Sequence, residues 1–438
     1  MEIAIIGGGV AGLTAAYRLS KDGVSVTLFE RDKVLGGLAG VVKIDNFLIE
    51  KYYHHIFTTD FEIINLIDEI GLKDKLMWLE SRMGLFYENK IHAFGTPGEL
   101  FRFKHLSFLD KLRFGATVLF LKNYNNWREL EKTTAIEWMR KYAGENVCKV
   151  IWEPLLVAKF GKNYQKASMS WLWGKIKLRG SSRSKGGKKE RLGYLLGSFG
   201  LLIDKLENEI ISMSGTVKKE EKIVRIDATD GNKVFIKTDK GEYEFDKAVS
   251  TVAYPVLIRI APQLSEEYKK KINQVEYAST VFVILILKNS FTYNYWENIS
   301  DNSIPFGGII EHTNFIRPSA YNNKNILYIS NYLYRDEWLY KCSDKELIEE
   351  YSKHLKKMNP NFSEEWIEQF FIFRDEFAQP IVTINYSQTL PNFETPIKNL
   401  FTATMAQIYP EDRGMNYSVK LGNQIADIVL KIEPIQPA

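Results

Sequence analysis

At 438 residues with 45% hydrophobic side chains, the chain is long enough for two domains with sizeable cores and is not a disordered segment. A net charge of +4 is too small for a uniformly basic surface, so nucleic acid is not an expected partner. Cys148 and Cys342 cannot build a disulfide framework, no Cys/His cluster calls for a metal, and no apolar run nears the ~18 residues that span a bilayer, which together suit a reducing cytoplasm. The chain opens on EIAII, residues 2 to 6, an apolar run of the kind that makes a buried parallel strand rather than a leader peptide. It leads straight into Gly7, Gly9 and Gly12 in a GxGxxG pattern. A helix follows with Ala11, Leu13, Ala15, Ala16 and Leu19 on its apolar face, Gly23 stops it, and residues 24 to 29 (VSVTLF) read as a second strand ending at Glu30 and Arg31. In such a βαβ unit Gly7 permits the tight turn, Gly9 lets the backbone approach a diphosphate, and Gly12 lets helix and strand pack closely. The helix N-terminus offers free N–H groups to the anion, and the Glu30 carboxylate accepts from ribose hydroxyls.

Leu35 to Gly40 (LGGLAG) form a second glycine cluster where a longer dinucleotide needs close backbone approach. At this point the sequence resembles the flavin amine oxidase superfamily, which includes protoporphyrinogen oxidases, phytoene desaturases and, more distantly, UDP-galactopyranose mutases. The resemblance implies FAD as cofactor, with Gly36, Gly37 and Leu38 beside it. Residues 43 to 53 read as a short hairpin that delivers His54 and His55, and the resemblance implies that this region runs beside the isoalloxazine ring. Tyr52 to Thr59 (YYHHIFTT) looks like the mutases' His-Ile-Phe-His-Thr stretch, with Thr58 in place of the second histidine, so His55 is the candidate catalytic residue at the flavin face. Half-buried packing histidines are the competing reading.

Residues 61 to 70 read as an amphipathic helix closed by Gly71, and 85 to 94 as a hairpin turning at Glu88 and Asn89. Helical segments are expected over 106–121, 134–142, 147–160 and 168–176. With Phe160, Gly161 and Trp171 they resemble the substrate domain of the protoporphyrinogen oxidase and phytoene desaturase group. The stretch from Phe103 to Tyr124 mixes large apolar side chains with Lys104, Lys111, Arg113 and Lys122. It is read first as a core stripe against a solvated face, and second as an interfacial helix on a membrane.

From Lys175 to Arg191 eight basic residues face the single acid Glu190, leaving the remainder of the chain slightly acidic. This glycine- and serine-rich loop is expected to seek an anion, with Arg179, Arg183 and Lys188 as substrate-binding residues. In residues 193 to 202 the relatives' Gly-Gly pair is replaced by Gly197 and Gly200, separated by Ser198 and Phe199. Residues 222 to 245 read as a β-meander turning at Asp230-Gly231 and Lys240-Gly241, and the resemblance puts a backbone group of Val224 at the adenine. Residues 246 to 257 resemble the strand that returns to the flavin domain and leaves through a proline.

Residues 277 to 287 and 326 to 333 are strand-like and expected to floor the substrate pocket. Between them, residues 304 to 315 (IPFGGIIEHTNF) look like a mutase segment in which Thr-Arg stands where this chain has Gly307 and Gly308. The mutases' arginine grips a diphosphate, and Arg317 is the candidate replacement here. A helix over 343 to 358 has Ser343 as cap with Glu346 at the third position. A last strand over 400 to 403 precedes residues 409 to 427, which resemble the closing flavin-binding turn. There Gly414, Met415 and Asn416 would offer N–H groups to the pyrimidine end, while Thr404 and Met405 replace the usual Gly-Asp.

The expected fold is thus α/β: a Rossmann-type FAD-binding domain (1–58, 195–256 and 396–438) with an inserted α+β substrate domain (59–194 and 257–395). The resemblance implies an FAD-dependent oxidoreductase that moves a hydride between a substrate carbon and flavin N5. Its substrate would be a small or lipid-linked anion such as a phosphorylated lipid or a sugar-containing anion. With no second GxGxxG unit, NAD(P)H or another electron donor or acceptor would have to use the same pocket. A mutase-like sugar isomerase is the alternative, and a non-catalytic flavoprotein a third reading. The inner face of the membrane is a surface the protein could touch peripherally.

Overall fold

The computed structural model describes residues 1–181, 190–229 and 232–431. Its organising layer is a five-stranded sheet in the order Thr216–Lys218, Ser25–Phe29, Glu2–Ile6, Lys247–Ser250, Leu400–Thr402, with every pairing parallel. A parallel sheet is covered on both faces, which is why its strands read as continuous apolar runs. Ile3 and Ile5 pack towards the first helix (Val10–Lys21) and the closing helix (Met415–Lys431). Ala4 and Ile6 point the other way, into a cluster with Ile226, Ile236 and Phe245 of a three-stranded antiparallel meander. The meander's Asp230-Gly231 turn lies outside the described residues.

A seven-stranded sheet forms the second layer, in the order Ile367–Pro380, Tyr277–Leu287, Asn325–Leu333, Gly308–Glu311, Trp296–Ile299, Met83–Tyr87, Lys90–Ala93. Its alternating side chains divide the sheet in two. Phe282, Ile284, Tyr328 and Tyr332 join the cluster that includes the first helix, whereas Val281, Val283, Leu285 and Ile329 pack with Leu347, Tyr351 and Leu355 of the helix Asp344–Met358. Ser343 and Glu346 cap that helix reciprocally, and both turn residues of the hairpin, Glu88 and Asn89, are left-handed (φ 48° and 58°). The hairpin before His54 is shorter than expected, pairing Val41–Ile44 with Phe47–Glu50. The helix expected over 147–160 is broken into a π turn, Cys148–Trp152, and an α-helix, Glu153–Phe160, because Pro154 has no N–H for the ladder.

The reading of residues 103–124 as a core stripe holds only in part. Phe103, Leu106 and Leu121 are buried and Phe114 and Val118 pack against the same cluster, but in the outer helix, Phe108–Asn123, the residues Phe108, Leu109, Leu112, Leu119 and Phe120 are 48–67% exposed. Among the described residues no helix is long and apolar enough to cross a membrane.

The Ile-Ile-Glu-His stretch is structural. Glu311 is fully buried and accepts from the amides of Phe291 and Thr292, and His312 Nε2 lies 2.7 Å from the Tyr321 hydroxyl. A side chain at Gly307 would start 2.4 Å from Ala158 Cβ, and one at Gly308 3.1 Å from the Glu297 carbonyl, so the mutases' Thr-Arg pair has no room. Burial pushes the carboxyls of Glu297 and Glu311 up to about 7, with Glu311's charge adding to the shift at Glu297. Because their folded pKa values lie above the unfolded ones, these groups contribute stability that is full below about pH 4.5 and lost as pH rises through 7. Glu311→Gln should therefore flatten the fall of unfolding free energy between pH 5 and 8 by up to about 1.4 kcal/mol per pH unit, measured by urea denaturation. An unchanged slope would mean that Glu311 is ionised in the fold.

Candidate active site

Gly7 takes φ +104° and its amide donates to Phe29 O, which turns the chain out of the first strand. A Cβ at Gly12 would lie 2.0 Å from Gly7 O, so the helix is pressed onto the turn. Gly9 caps the helix without any side-chain hydrogen bond, and nothing stands within 4 Å of where its Cβ would be. The first-turn amides thus have no side-chain cap, as an anion site at a helix N-terminus requires. The second glycine cluster lies directly on the first: Gly36 N donates to Gly8 O at 2.7 Å, and Gly9 bridges Gly36.

Glu30 is fixed at the end of its strand, with Oε2 accepting from Gly8 N at 2.7 Å and Oε1 from Asp32 N at 3.0 Å. Arg31 is exposed and 3.7 Å from Asp32. Val224 is 42% exposed and sits at the register shift between Ile223 and Arg225, outside the regular ladder of the meander. The meander's approach is stitched to Glu30, whose carbonyl accepts from Glu221 N at 2.9 Å. Open glycine, uncapped helix and strand-end carboxylate are together the donor and acceptor set that a dinucleotide needs, and the residues present fit FAD.

From Leu38 the surface continues into a cleft of about 150 Å³. Gly414, Met415 and Asn416, at the start of the closing helix, form one wall, and the Asn416 side chain accepts from Ile63 N at 3.2 Å. His54 and His55 stand in the wall formed by residues 52 to 57. Burial, then the Arg179 charge, lowers His55 to about 3, and burial lowers His54 to about 4, so both rings are neutral at pH 7. His55 Nδ1 is 3.2 Å from the Tyr295 hydroxyl.

The helix Met169–Ser181 brings Lys175, Leu178 and Arg179 to the cleft on one face, as i, i+3 and i+4 spacing dictates. Arg179 reaches Met83 Sδ at 3.2 Å and lies 5.9 Å from the Trp296 ring centre. Arg183 and Lys188 lie outside the described residues. Arg317 does not join the site: it is exposed at the start of the turn Pro318–Tyr321, which packs Tyr321 inward and leaves Arg317 on the surface.

Five further polar residues that sequence reasoning passed over line the same cleft: Asp60, Lys159, Tyr332, Asp412 and Arg413. Lys175 pairs with Asp412, which also accepts from Trp171 Nε1 at 2.8 Å and Gln379 Nε2 at 3.3 Å. Burial pushes the Asp412 carboxyl up, but Lys175, Lys159 and Arg413 outweigh it and hold the group well below the usual range. Burial raises Asp60 to about 6, and its Oδ1 has no partner. The signals were adjacency alone: Lys159 precedes Phe160-Gly161, and Arg413 precedes Gly414.

The family described as flavin containing amine oxidoreductase matches residues 10–429. The mitochondrial protoporphyrinogen oxidase of Nicotiana tabacum is 25% identical over 172 residues, 38% of this chain and 34% of that protein, so the chain spans about a third of this relative's length. An oxidoreductase from Methanosarcina mazei shares the fold with a TM-score of 0.75 at 17% identity, covering 98% of this chain and 100% of that one. Reduced UDP-galactopyranose mutase does so with a TM-score of 0.76 at 18% identity, covering 99% and 96%. The chain belongs to the flavin containing amine oxidoreductase family.

Proposed function

We propose that the enzyme transfers a hydride between a carbon of an anionic small-molecule or lipid-linked substrate and FAD. The observation that carries this reading is the basic lining of the cleft: Lys175, Arg179 and Arg413, with the Lys159 amine beside them, against one strongly acidic carboxyl, Asp412. In this reading residues 1–58, 195–256 and 396–438 hold the cofactor, and 59–194 with 257–395 shape the substrate side. Gly7, Gly9 and Gly12 with the first helix hold the diphosphate, and Glu30, beside the surface residue Arg31, holds the ribose. Val224 meets the adenine through its backbone. Gly36, Gly37 and Leu38 flank the central part of the cofactor, and Gly414, Met415 and Asn416 offer the helix N-terminus to its pyrimidine end. FAD supplies the two-electron acceptor when bound. The chain's own share is to exclude water with the rings of Tyr53, Phe282 and Trp296, to present neutral His55 as a hydrogen-bonding wall, and to orient the substrate's anion with Arg179. NAD(P)H or another donor or acceptor would exchange electrons through the same opening.

A mutase-like isomerase is the second reading, favoured by the His55-Ile56-Phe57 stretch in the cleft wall. Glycine in place of the mutases' arginine at Gly308, and the lack of space for any side chain at Gly307, count against it.

A peripheral membrane contact accompanies the first reading. The exposed face of the outer helix, with Phe101 beside it, is apolar over Phe108, Leu112 and Leu119 and flanked by Lys111, Arg113 and Lys122. This helix packs on the one that carries Lys175 and Arg179, as in the bond from Trp173 Nε1 to Tyr124 O.

Among candidate anions added anaerobically, those that bleach the flavin band identify the substrate. Arg179→Ala should then raise KM for that compound at least tenfold, an effect of about 1.4 kcal/mol or more, with FAD content unchanged; an unchanged KM removes Arg179 from the site. Ring-isomerised sugar nucleotide formed by reduced enzyme without any electron acceptor would replace the oxidoreductase reading with the mutase one. For the membrane contact, Leu112→Asp with Leu119→Asp should abolish co-sedimentation with vesicles containing anionic lipid while FAD content stays intact, and wild-type protein that remains in the supernatant would refute it.

A further inference from the structure

We infer that Lys159, Arg413 and Tyr332 form an oxyanion subsite within the cleft, and that Lys159 takes up a proton from solvent when the anion binds. This rests on the reading that the substrate is anionic and adds where its charge sits. Lys159, near the end of the helix Glu153–Phe160, places Nζ 4.6 Å from the centre of the Tyr332 ring. Arg413 lies against the same ring, 5.6 Å from its centre. It is fixed there by two uncharged partners, donating from Nε to Gln379 Oε1 at 2.7 Å and from Nη2 to the Tyr332 hydroxyl. Two basic side chains therefore share one aromatic ring, and among the described residues neither makes an ion pair with a carboxylate.

The carboxylate closest in charge effect, Asp412, is engaged by Lys175, Trp171 and Gln379. The charged and titratable groups that act on Lys159 are Lys175 from the helix Met169–Ser181, Arg413 and Asp412 from the loop before the closing helix, and Tyr332 from the strand Asn325–Leu333. Lys162, one turn further along, is paired outward with Asp336. Burial, then Arg413 and Lys175, push the Lys159 amine well below its ordinary range, which favours its neutral form. An oxyanion placed between the amine and the guanidinium supplies the missing negative charge and reverses that balance. The neutral amine then takes a proton and donates to the anion, beside the bidentate fork of Arg413. No bond other than N–H forms, and the proton comes from water.

Sulfate and acetate test this, because neither changes its charge between pH 7 and 9. FAD-loaded oxidised protein is titrated with each at constant ionic strength, following the shift of the flavin spectrum and the heat of binding. In wild type the dissociation constant should rise by up to tenfold per pH unit. Lys159→Met should bind more weakly and without pH dependence at unchanged FAD content, and Lys159→Arg, whose charge is fixed, should restore affinity while leaving the slope flat. Tighter sulfate assigns the subsite to a phosphate ester, and tighter acetate to a carboxylate. Binding that is absent or pH-independent in wild type, or equally steep in Lys159→Met, overturns the inference. If the slope is found but no anionic compound bleaches the flavin, the subsite stands and the hydride-transfer reading falls.

Discussion

Everything in this molecule follows from how closely the first helix lies on the first strand. With a Cβ at Gly12 2.0 Å from Gly7 O, any larger residue would lift the helix off the sheet. The closing helix repeats the device one layer out, since a Cβ at Gly422 would lie 2.6 Å from Thr14 and 2.7 Å from Ala11 O. Sheet, first helix and closing helix are therefore stacked without slack, and their N-terminal ends, at Gly9 and Gly414, are fixed relative to one another. The second glycine cluster, bonded to Gly8 and continuing to Leu38, joins the one end to the cleft at the other. The track for a long dinucleotide is a consequence of backbone packing before any side chain contributes.

The seven-stranded sheet is locked to this frame through Glu50. Fully buried, its carboxylate accepts from the Tyr194 hydroxyl at 2.9 Å and Phe199 N at 2.7 Å, while its carbonyl accepts from the Tyr328 hydroxyl at 2.7 Å. One residue thus ties the strand Phe47–Glu50 to Arg191–Leu195, to the start of the helix Gly200–Ser212 and to the seven-stranded sheet. Removing a buried hydrogen-bonded carboxyl leaves several donors unsatisfied at once, a loss on the order of 1–3 kcal/mol for each. His54 and His55 follow within five residues, so the wall they form is anchored at one end by this clamp and at the other by the pairing of Ile56 and Phe57 with Gly193 and Leu192.

What could be read from the sequence was what is encoded locally. The glycine spacing, the Ser343–Glu346 cap and the Glu88–Asn89 turn each involve residues a few positions apart, and each took the expected geometry. The outer helix was only half legible because a periodic apolar stripe specifies a face and not what covers it; Leu121, Phe114 and Val118 meet the core, while Phe108, Leu112 and Leu119 point outward. The Ile-Ile-Glu-His likeness was legible as a string of residues but not as a place in the fold: Glu311 is buried and engaged by two backbone amides, and it does not line the cleft. Lys159 and Arg413 were invisible because their meaning arises from a ring, Tyr332, that is far from both in sequence. A lysine after a helical apolar run reads as solvated until tertiary structure encloses it.

The cleft's charge balance is itself an argument that the fold is shaped around a ligand. Lys175 and Asp412 are a buried pair with further hydrogen bonds, an arrangement that tolerates burial and whose disruption typically costs about 3–5 kcal/mol. Had stability alone shaped this region, that pair would be sufficient. Instead, Lys159 and Arg413 are added beside it without an ion pair of their own among the described residues, so the charge of one is disfavoured and the other takes Gln379 and Tyr332 as its hydrogen-bond partners. An ammonium whose charge is disfavoured and a guanidinium hydrogen-bonded to neutral groups both weaken the ligand-free fold. Such a cost persists where the surrounding structure overdetermines it and binding recovers it.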